Sequence, residues 1–159
     1  MKVFRIVQDQ LRTSDLSGTG AFRTGGRWNS KGTYMMYTSE NSSLALLEIS
    51  LHFDNGDMPP ELFIMEIDIA DDSLVYTLPD NQYNKHWLKL LLLENQAQGS
   101  AWMKEKKWLG IRVKSAINQR EDNILLNPRY PNYDNLVKVT LVSKLPVDER
   151  LIQLVNKSK

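Results

Sequence analysis

The segment LFIMEIDI, Leu62 to Ile69, alternates between apolar and charged side chains, and this pattern restricts the possible folds more than any other in the sequence. Successive side chains of an extended strand point to opposite faces, so Glu66 and Asp68 would share one face. The apolar side chains would share the other: Phe63, Met65, Ile67 and Ile69. The segment therefore predicts a strand that is buried on one side, within a sheet that packs on a core.

Similar patterns predict the other elements. Further strands are expected at Lys2–Val7, Thr33–Thr38, Ser73–Leu78, Trp108–Val113, Asn123–Asn127 and Asn135–Val142. Helices are expected from an N-cap at Ser39 to about His52, over Asn84–Asn95, over Gln96–Lys107 and after Asp148. The Gly-, Ser- and Thr-rich stretch Thr13–Gly32 is expected to be a long irregular loop, and such loops are often functional. We therefore predict an α+β fold, a single compact domain over residues 1–159 with mixed and antiparallel sheets and flanking helices.

Composition removes several classes of protein. The absence of cysteine excludes a disulfide scaffold, a thiol nucleophile and a cysteine zinc site, and two distant histidines predict no metal centre. A net charge of +1 gives no general attraction for nucleic acid or an anionic membrane. The apolar run Leu88–Leu93 is interrupted by Lys89 and is too short to span a bilayer, and the N-terminus lacks a signal-peptide pattern. We expect a cytoplasmic protein.

Glu48 stands where a charge is costly. In the helix expected after Ser39, Leu44, Leu47 and Leu51 form an apolar stripe, and Glu48 lies along it. A buried carboxylate must be paired, hydrogen-bonded or neutralised, whereas a carboxylate at the edge of the stripe reaches water. The pattern leaves both readings open.

Arg27 follows two glycines and precedes Trp28 in the segment GGRWN. Its planar guanidinium suits bidentate contact with a phosphate or carboxylate, and the alternative is an ordinary surface ion pair. The glycine spacing matches neither a P-loop nor a dinucleotide fingerprint, so neither nucleotide-binding fold is predicted.

Polar residues also follow predicted strands. Ser115 comes just after the strand at Trp108–Val113, where a hydroxyl lines a cleft or caps a turn, and no histidine stands near enough in the sequence to suggest a catalytic triad. Asn123 and Asn127 bracket the next strand and could hold loops together or line the same pocket. The segment Arg129–Tyr133 offers a stacking surface for single-stranded nucleic acid, but the neutral charge balance favours loop packing.

Three segments, taken in order, resemble the RES domain family, which is named for its Arg, Glu and Ser. They are GGRWNSKGTYMMYTSENSSLALLE, GSAWMKEKKWLGIRVKSA and DNILLNPRYP. The resemblance assigns the family's Arg, Tyr, Glu and Ser to Arg27, Tyr37, Glu48 and Ser115. Three further residues of the matching motifs are candidate substrate contacts: Trp28, Asn123 and Asn127.

Two positions depart from the family pattern. Tyr130 stands where the family usually has His in N-P-x-H-P, and Lys114 stands where it has Pro before the Ser. The role of that His therefore has no direct counterpart here, and whether Tyr130 takes it over is left open.

The resemblance implies an ADP-ribosyltransferase-like fold and an enzyme that uses NAD⁺ as its substrate, with no cofactor. RES proteins are toxins of bacterial toxin–antitoxin pairs. They cleave the nicotinamide–ribose bond of NAD⁺ by phosphorolysis or hydrolysis, which depletes the cell of NAD⁺ and arrests growth, or they transfer ADP-ribose to a protein. The implied partner is an antitoxin with an Xre-type helix-turn-helix that blocks the active site, and a toxin homodimer within that complex is left open. No membrane or nucleic-acid partner is implied.

For that reaction, Glu48 would stabilise positive charge on the ribose, and Arg27 would bind the pyrophosphate. Tyr37 would stack on nicotinamide or hydrogen-bond the ribose, and Ser115 would be a positioning donor. The rival hypothesis is a toxin that acts on RNA through Arg129–Tyr133, whose binding would depend strongly on salt and not on Glu48.

Overall fold

Backbone pairing gathers the predicted strands into one sheet. The structure, a computed structural model, describes residues 1–53 and 58–156. Its strands are β1 (Lys2–Val7), β2 (Met36–Ser39), β3 (Glu61–Ile69), β4 (Val75–Thr77), β5 (Gly110–Lys114), β6 (Asp122–Leu126) and β7 (Val137–Pro146). Its helices are α1 (Thr19–Thr24), α2 (Ser42–Ser50), α3 (Leu93–Glu105), α4 (Tyr133–Leu136) and α5 (Glu149–Asn156). Short 3-10 turns cover Gln10–Arg12, Asp72–Leu74 and Asp80–Gln82.

The strand order creates a junction in the middle of the sheet. The order is β4-β5-β6-β2-β1-β3-β7, with β4 and β5 parallel and all other neighbours antiparallel. β1 and β2 are joined by one residue pair, Phe4 opposite Ser39, whereas β1–β3, β3–β7 and β2–β6 pair along several residues. Two well-paired halves therefore meet at β1 and β2, and α2 packs on both of these strands.

Both faces of the sheet are covered. On one face, strands from both halves contribute to a single cluster, including Val3, Met36, Met65 and Ile124. Among the described residues α4 is the only α-helix in that cluster, which is built mainly from side chains of the strands. On the other face, α3 and several aromatic rings cover β5 and β6, while α2 and α5 cover β1 and β3. The predicted fold class, α+β with a mixed sheet and flanking helices, is confirmed.

A β-bulge overturns part of the pattern predicted for β7. Val137 and Val139 are turned inward as predicted, but Leu141 is half exposed. The register shifts between Glu66 and Ile67, so Leu141 lies opposite Glu66 while Val139 lies opposite Ile67. An extra residue on one strand reverses the alternation beyond it, and the sequence of β7 alone does not reveal it.

The stretch Thr13–Gly32 is not wholly irregular, because it contains α1. Two of its glycines mark the ends of this helix: Gly18 has φ +68° and Gly25 has φ +73°, both in the left-handed region. A Cβ on Gly18 would also lie 2.8 Å from the carbonyl oxygen of Met35. The prediction of a loop was wrong for Thr19–Thr24, since the glycines delimit a helix there.

The helix predicted over Gln96–Lys107 is present as most of α3, which spans Leu93–Glu105, but the helix predicted over Asn84–Asn95 is replaced by turns up to residue 92. Asn84 Nδ2 donates to Asn95 Oδ1 at 3.0 Å, and Asn95 Nδ2 donates to the carbonyl oxygen of Trp87 at 2.7 Å. Leu91 has φ +56°, a conformation that a continuous helix does not contain. Side-chain hydrogen bonds therefore hold residues 84–92 in turns, and that part of the prediction was wrong.

Candidate active site

The helix that carries Glu48 begins at a different cap from the one predicted. Ser39 belongs to β2, and Asn41 is the N-cap, with its side chain accepting a hydrogen bond from the backbone N–H of Leu44 at 2.8 Å. β2 extends to Ser39 because it pairs with β6, which sets Met36–Ser39 opposite Asn123–Leu126. Tertiary pairing therefore overrode the local capping signal at Ser39.

The apolar stripe predicted on this helix was wrong. Leu44 is buried, but Leu47 is 40% exposed and Leu51 is 66% exposed, while Ala45 is buried instead. Glu48 is half-buried, and its carboxylate meets residues that follow β5 and begin β6. The Glu48 carboxylate is therefore held by hydrogen bonds between distant segments and not within the apolar stripe that the sequence pattern indicated.

Two side chains hold one oxygen of the Glu48 carboxylate. Ser115 Oγ donates to Glu48 Oε1 at 2.9 Å, and Asn123 Nδ2 donates to the same oxygen at 2.5 Å. None of residues 1–53 and 58–156 is seen to donate to the second oxygen, Oε2. The carboxylate is thus fixed through one of its two oxygens.

Ser115 is fully buried directly after β5, and its hydroxyl serves two purposes. Besides donating to Glu48, Oγ accepts hydrogen bonds from the backbone N–H groups of Ile117 and Asn118, at 3.1 and 3.3 Å. The turn-cap reading of this residue is confirmed, whereas no cleft is seen at this fully buried side chain among the described residues. Its proton is directed at the Glu48 carboxylate, and its oxygen accepts from two backbone N–H groups.

The Tyr37 hydroxyl group is hydrogen-bonded to the loop that carries Arg27, here called the Arg27 loop. The hydroxyl donates to Asn29 Oδ1 at 2.8 Å and accepts from the backbone N–H of Trp28 at 3.1 Å. A Cβ on Gly26 would lie 2.7 Å from the Tyr37 hydroxyl oxygen, so only glycine fits there. Burial raises the pKa of Tyr37, which keeps the phenol protonated.

Asn29 is a residue that the sequence patterns did not single out. It is fully buried, and its Nδ2 donates to the carbonyl oxygens of Ala21, Ser30 and Thr33 at distances between 2.9 and 3.1 Å. Its place in the GRWN motif, two residues after Arg27, was the available signal. Asn29 ties the end of α1 to the Tyr37 hydroxyl.

Arg27 is close to Glu48 and Tyr37 in the folded chain. Its Nη1 donates to the carbonyl oxygens of Trp87 and Leu88, at 3.2 and 2.7 Å, so it is bound to the turns that precede α3. Burial lowers the pKa of the Arg27 guanidinium, while the negative charge of Glu48 opposes that shift. Arg27 and Glu48 form no ion pair among the described residues. The Glu48 carboxylate is therefore near enough to Arg27 to act on its pKa without a direct ion pair.

Two of the predicted substrate contacts lie in the interior instead. Trp28 is 2% exposed and packs its ring on Tyr83, Trp87 and Trp102, with centroids 5.5 to 6.2 Å apart. Asn127 is fully buried, and its Nδ2 donates to the carbonyl oxygen of Met103 at 2.9 Å. These side chains present no surface to a ligand. They support the Arg27 loop and the end of α3, and their prediction as contacts is corrected accordingly.

The Arg129–Tyr133 segment lies away from Glu48. Tyr130 packs against the cluster that contains Val3 and Met65, whereas Tyr37 packs against the cluster on the α3 face. Nearby, a groove of about 690 Å³ brings Arg129 and Lys138 together with Asp15 and Asp134. This mixture of charges differs from the basic surface that a nucleic acid requires. Tyr130 makes none of the hydrogen bonds that hold Glu48.

Residues 1–53 and 58–156 contain neither a metal-binding cluster nor a membrane-spanning helix. No group of three or more His, Cys, Asp or Glu side chains is arranged to hold a metal ion. No helix there is long and apolar enough to cross a membrane.

Comparison with known proteins identifies the family. The RES domain family matches residues 2–148. The chain is 28% identical over 151 residues to "Toxin Res" of Yersinia enterocolitica, covering 95% of this chain and 99% of that protein. It is 32% identical over 155 residues to the "Prs ADP-ribosylating toxin" of Sphingobium, covering 94% of this chain and 96% of that protein. A chain from the crystal structure of the M. tuberculosis MbcT–MbcA toxin–antitoxin complex has the same fold, with a TM-score of 0.63 at 19% identity over 99% of this chain and 89% of that one. The chain therefore belongs to the RES domain family.

Proposed function

We propose that this protein is the toxin of a toxin–antitoxin system and that it cleaves the nicotinamide–ribose bond of NAD⁺ in the bacterial cytoplasm. One observation supports this most: Glu48 is fixed through Oε1 by Ser115 and Asn123, and its negative charge acts on the nearby Arg27 guanidinium. A held carboxylate near a guanidinium suits a substrate that carries a pyrophosphate and develops positive charge at a sugar carbon.

Glu48 would act on the ribose. When the C1′–N bond breaks, its electron pair leaves with nicotinamide, and C1′ becomes an oxocarbenium-like centre. A preorganised negative oxygen beside that centre stabilises the transition state more than the ground state. Glu48 Oε2, the oxygen that Ser115 and Asn123 do not use, is the atom we assign to this role.

Arg27 would bind the pyrophosphate. Its guanidinium already donates to the carbonyl oxygens of Trp87 and Leu88, two neutral acceptors. A phosphate oxygen is a charged acceptor and makes a stronger, bidentate contact with a guanidinium. Substrate binding would therefore replace or share these carbonyl contacts, and the turns at residues 84–92 would respond to it.

Tyr37 would act through its ring. Both hydrogen-bonding capacities of its hydroxyl are already used, by Asn29 and by the backbone of Trp28. A hydroxyl so engaged is poorly placed to bind ribose as well. Of the two roles that the resemblance implies, stacking on the nicotinamide end is the one that this geometry favours.

The acceptor distinguishes two forms of the proposal. In phosphorolysis or hydrolysis, an oxygen of phosphate or water forms the new bond to C1′, and the proton lost from water passes to solvent. The "Prs ADP-ribosylating toxin", 32% identical to this chain, favours a second candidate, in which a protein side chain is the acceptor. Whether phosphate, water or a protein side chain is the acceptor, the same bond is cleaved and Glu48 has the same role.

The proposed partner is an antitoxin of the Xre helix-turn-helix type that covers the site. Large exposed apolar side chains are concentrated on α2, on residues 88–93 and just after Ser115: Leu47, Leu51, Leu88, Leu90, Leu91, Leu93 and Ile117. Arg27 contacts the second of these segments and Ser115 the third, so the apolar side chains flank the site. Such a concentration is typical of a protein-binding surface. A charge introduced at Leu90 should weaken antitoxin binding and leave NAD⁺ cleavage intact.

The test combines chemistry and growth. Purified protein is incubated with NAD⁺, with and without phosphate, and the ribosyl product is identified. Wild type and Glu48→Ala are then expressed from one promoter while growth and intracellular NAD⁺ are followed. We expect wild type alone to lower NAD⁺ and stop growth. Equal arrest by both proteins, or arrest at constant NAD⁺ without ADP-ribosylated protein, would reject the proposal and favour an RNA target.

A further inference from the structure

We propose that Ser39 is a positioning residue of this site, which aligns Asn123 so that its amide N–H group faces Glu48. The inference rests on the proposed function, because it concerns the same carboxylate. Ser39 is absent from the residues that the family resemblance assigns, and it was expected only to cap a helix.

The contact is short, buried and set by the sheet. Ser39 is 4% exposed at the end of β2, and its Oγ lies 2.7 Å from Asn123 Oδ1. The β2–β6 register puts these two residues directly opposite each other, and Phe4 of β1 lies opposite Ser39 on the other side. Ser39 therefore stands at the junction of the two halves of the sheet and is held from both sides.

The chemistry of an amide gives this contact a consequence. The Asn123 side chain can present either its NH₂ or its carbonyl end, and only NH₂ is compatible with the Glu48 carboxylate. Ser39 donates to the carbonyl end, which leaves the NH₂ end to donate to Glu48 Oε1. Each group donates to the next, from Ser39 through Asn123 to Glu48, and hydrogen bonds arranged in such a chain strengthen one another.

Without the Ser39 hydroxyl, the carbonyl end of Asn123 loses a buried donor. The amide is then held only through its NH₂ group, so it can rotate away from Glu48 Oε1 more often and leave that oxygen to Ser115. The carboxylate would sample other rotamers, and Oε2 would spend less time beside the ribose. The loss should appear in kcat more than in KM, because Ser39 itself touches no substrate.

Thr38 provides a matched control on the same strand. It is 3% exposed, and its Oγ1 donates to the backbone carbonyl of Ile124 at 2.8 Å, outside the Glu48 network. Thr38→Val and Ser39→Ala each remove one buried hydroxyl from β2. Both substitutions should lower the free energy of unfolding. Only Ser39→Ala should lower kcat, by about tenfold, which is a common effect of removing a hydrogen bond that supports a functional group.

A double-mutant cycle with Asn123→Ala separates positioning from general stability. If Ser39 acts through Asn123, Ser39→Ala causes no further loss of kcat in the Asn123→Ala background. The proposal would be overturned if the losses of kcat in Ser39→Ala and Asn123→Ala multiplied in the double variant. An unchanged kcat in Ser39→Ala, or an equal loss of kcat in Thr38→Val, would also overturn it.

The side-chain NH₂ signals of Asn123 in an NMR spectrum test the same inference without turnover. They should shift in Ser39→Ala and stay in place in Thr38→Val, and signals unmoved by Ser39→Ala would refute it. If wild type does not cleave NAD⁺, the proposed function fails, and these signals alone decide whether Ser39 positions Asn123.

Discussion

Replacing Glu48 by glutamine removes the negative charge from the site while keeping the shape of the side chain. The amide oxygen of glutamine can accept the same two hydrogen bonds, from Ser115 and Asn123, that Glu48 Oε1 accepts. The flipped amide would set its NH₂ group against both donors, so this orientation is disfavoured. The variant should therefore place a neutral NH₂ group where Oε2 faced the ribose.

The expected effect on the chemical step is large and that on folding is small. Loss of one preorganised electrostatic group costs about 10²–10³ in kcat, which corresponds to about 2.7–4 kcal/mol of transition-state stabilisation. Hydrogen bonds to a charged acceptor are stronger than neutral ones by about 1 kcal/mol each, and Glu48 is only half-buried. We expect a loss of about 1–2 kcal/mol in the free energy of unfolding, or about 2–8 °C in Tm.

The assay is NAD⁺ loss by purified protein at saturating substrate, with thermal unfolding measured on the same samples. Glu40→Gln is the matched control, because Glu40 is also a half-buried carboxylate but pairs with Arg112 and accepts from the backbone N–H of Asp122. It should lose stability and keep its turnover. Turnover of Glu48→Gln within about threefold of wild type would remove Glu48 from the chemistry, since so small a change is less than 1 kcal/mol.

Three further outcomes are expected. Arg27→Lys should raise KM for NAD⁺ because an ammonium cannot make a bidentate contact with pyrophosphate, and unchanged KM and kcat would exclude Arg27 from the site. Gly26→Ala should lower both stability and turnover because its Cβ would displace the Tyr37 hydroxyl, whereas Gly20→Ala, in a helix with its Cβ 3.7 Å from the nearest side-chain atom, should be stabilising. Urea unfolding should show stability falling as pH rises above about 10, because burial raises the pKa of Tyr37 and Tyr133 and only the unfolded chain then loses these protons. Tyr37→Phe should make that fall shallower, and an equal slope would contradict the assignment.

Most strands and the candidate site residues could be predicted from the amino-acid sequence alone. Strand alternation is a local property, so β1 was predicted at its observed bounds and β3 within one residue. Glu48 and Ser115 were found through motif order, and the structure joins them by a hydrogen bond although they stand 67 residues apart. The sequence predicted that Glu48 lies on a helix and that Ser115 follows a strand, as observed, because helices and strands have local sequence patterns.

The folded structure is needed to know which face each side chain presents and what it touches. Pairing with β6 drew Ser39 into β2 and left Asn41 to cap the helix, and a bulge turned Leu141 outward. Packing on other aromatic rings took Trp28 into the interior. Each of these outcomes depends on register or contact between distant segments, for which the chain has no local signal. The hydrogen bonds around Glu48 exist for the same reason, because the sheet must form before Ser115 and Asn123 can meet it.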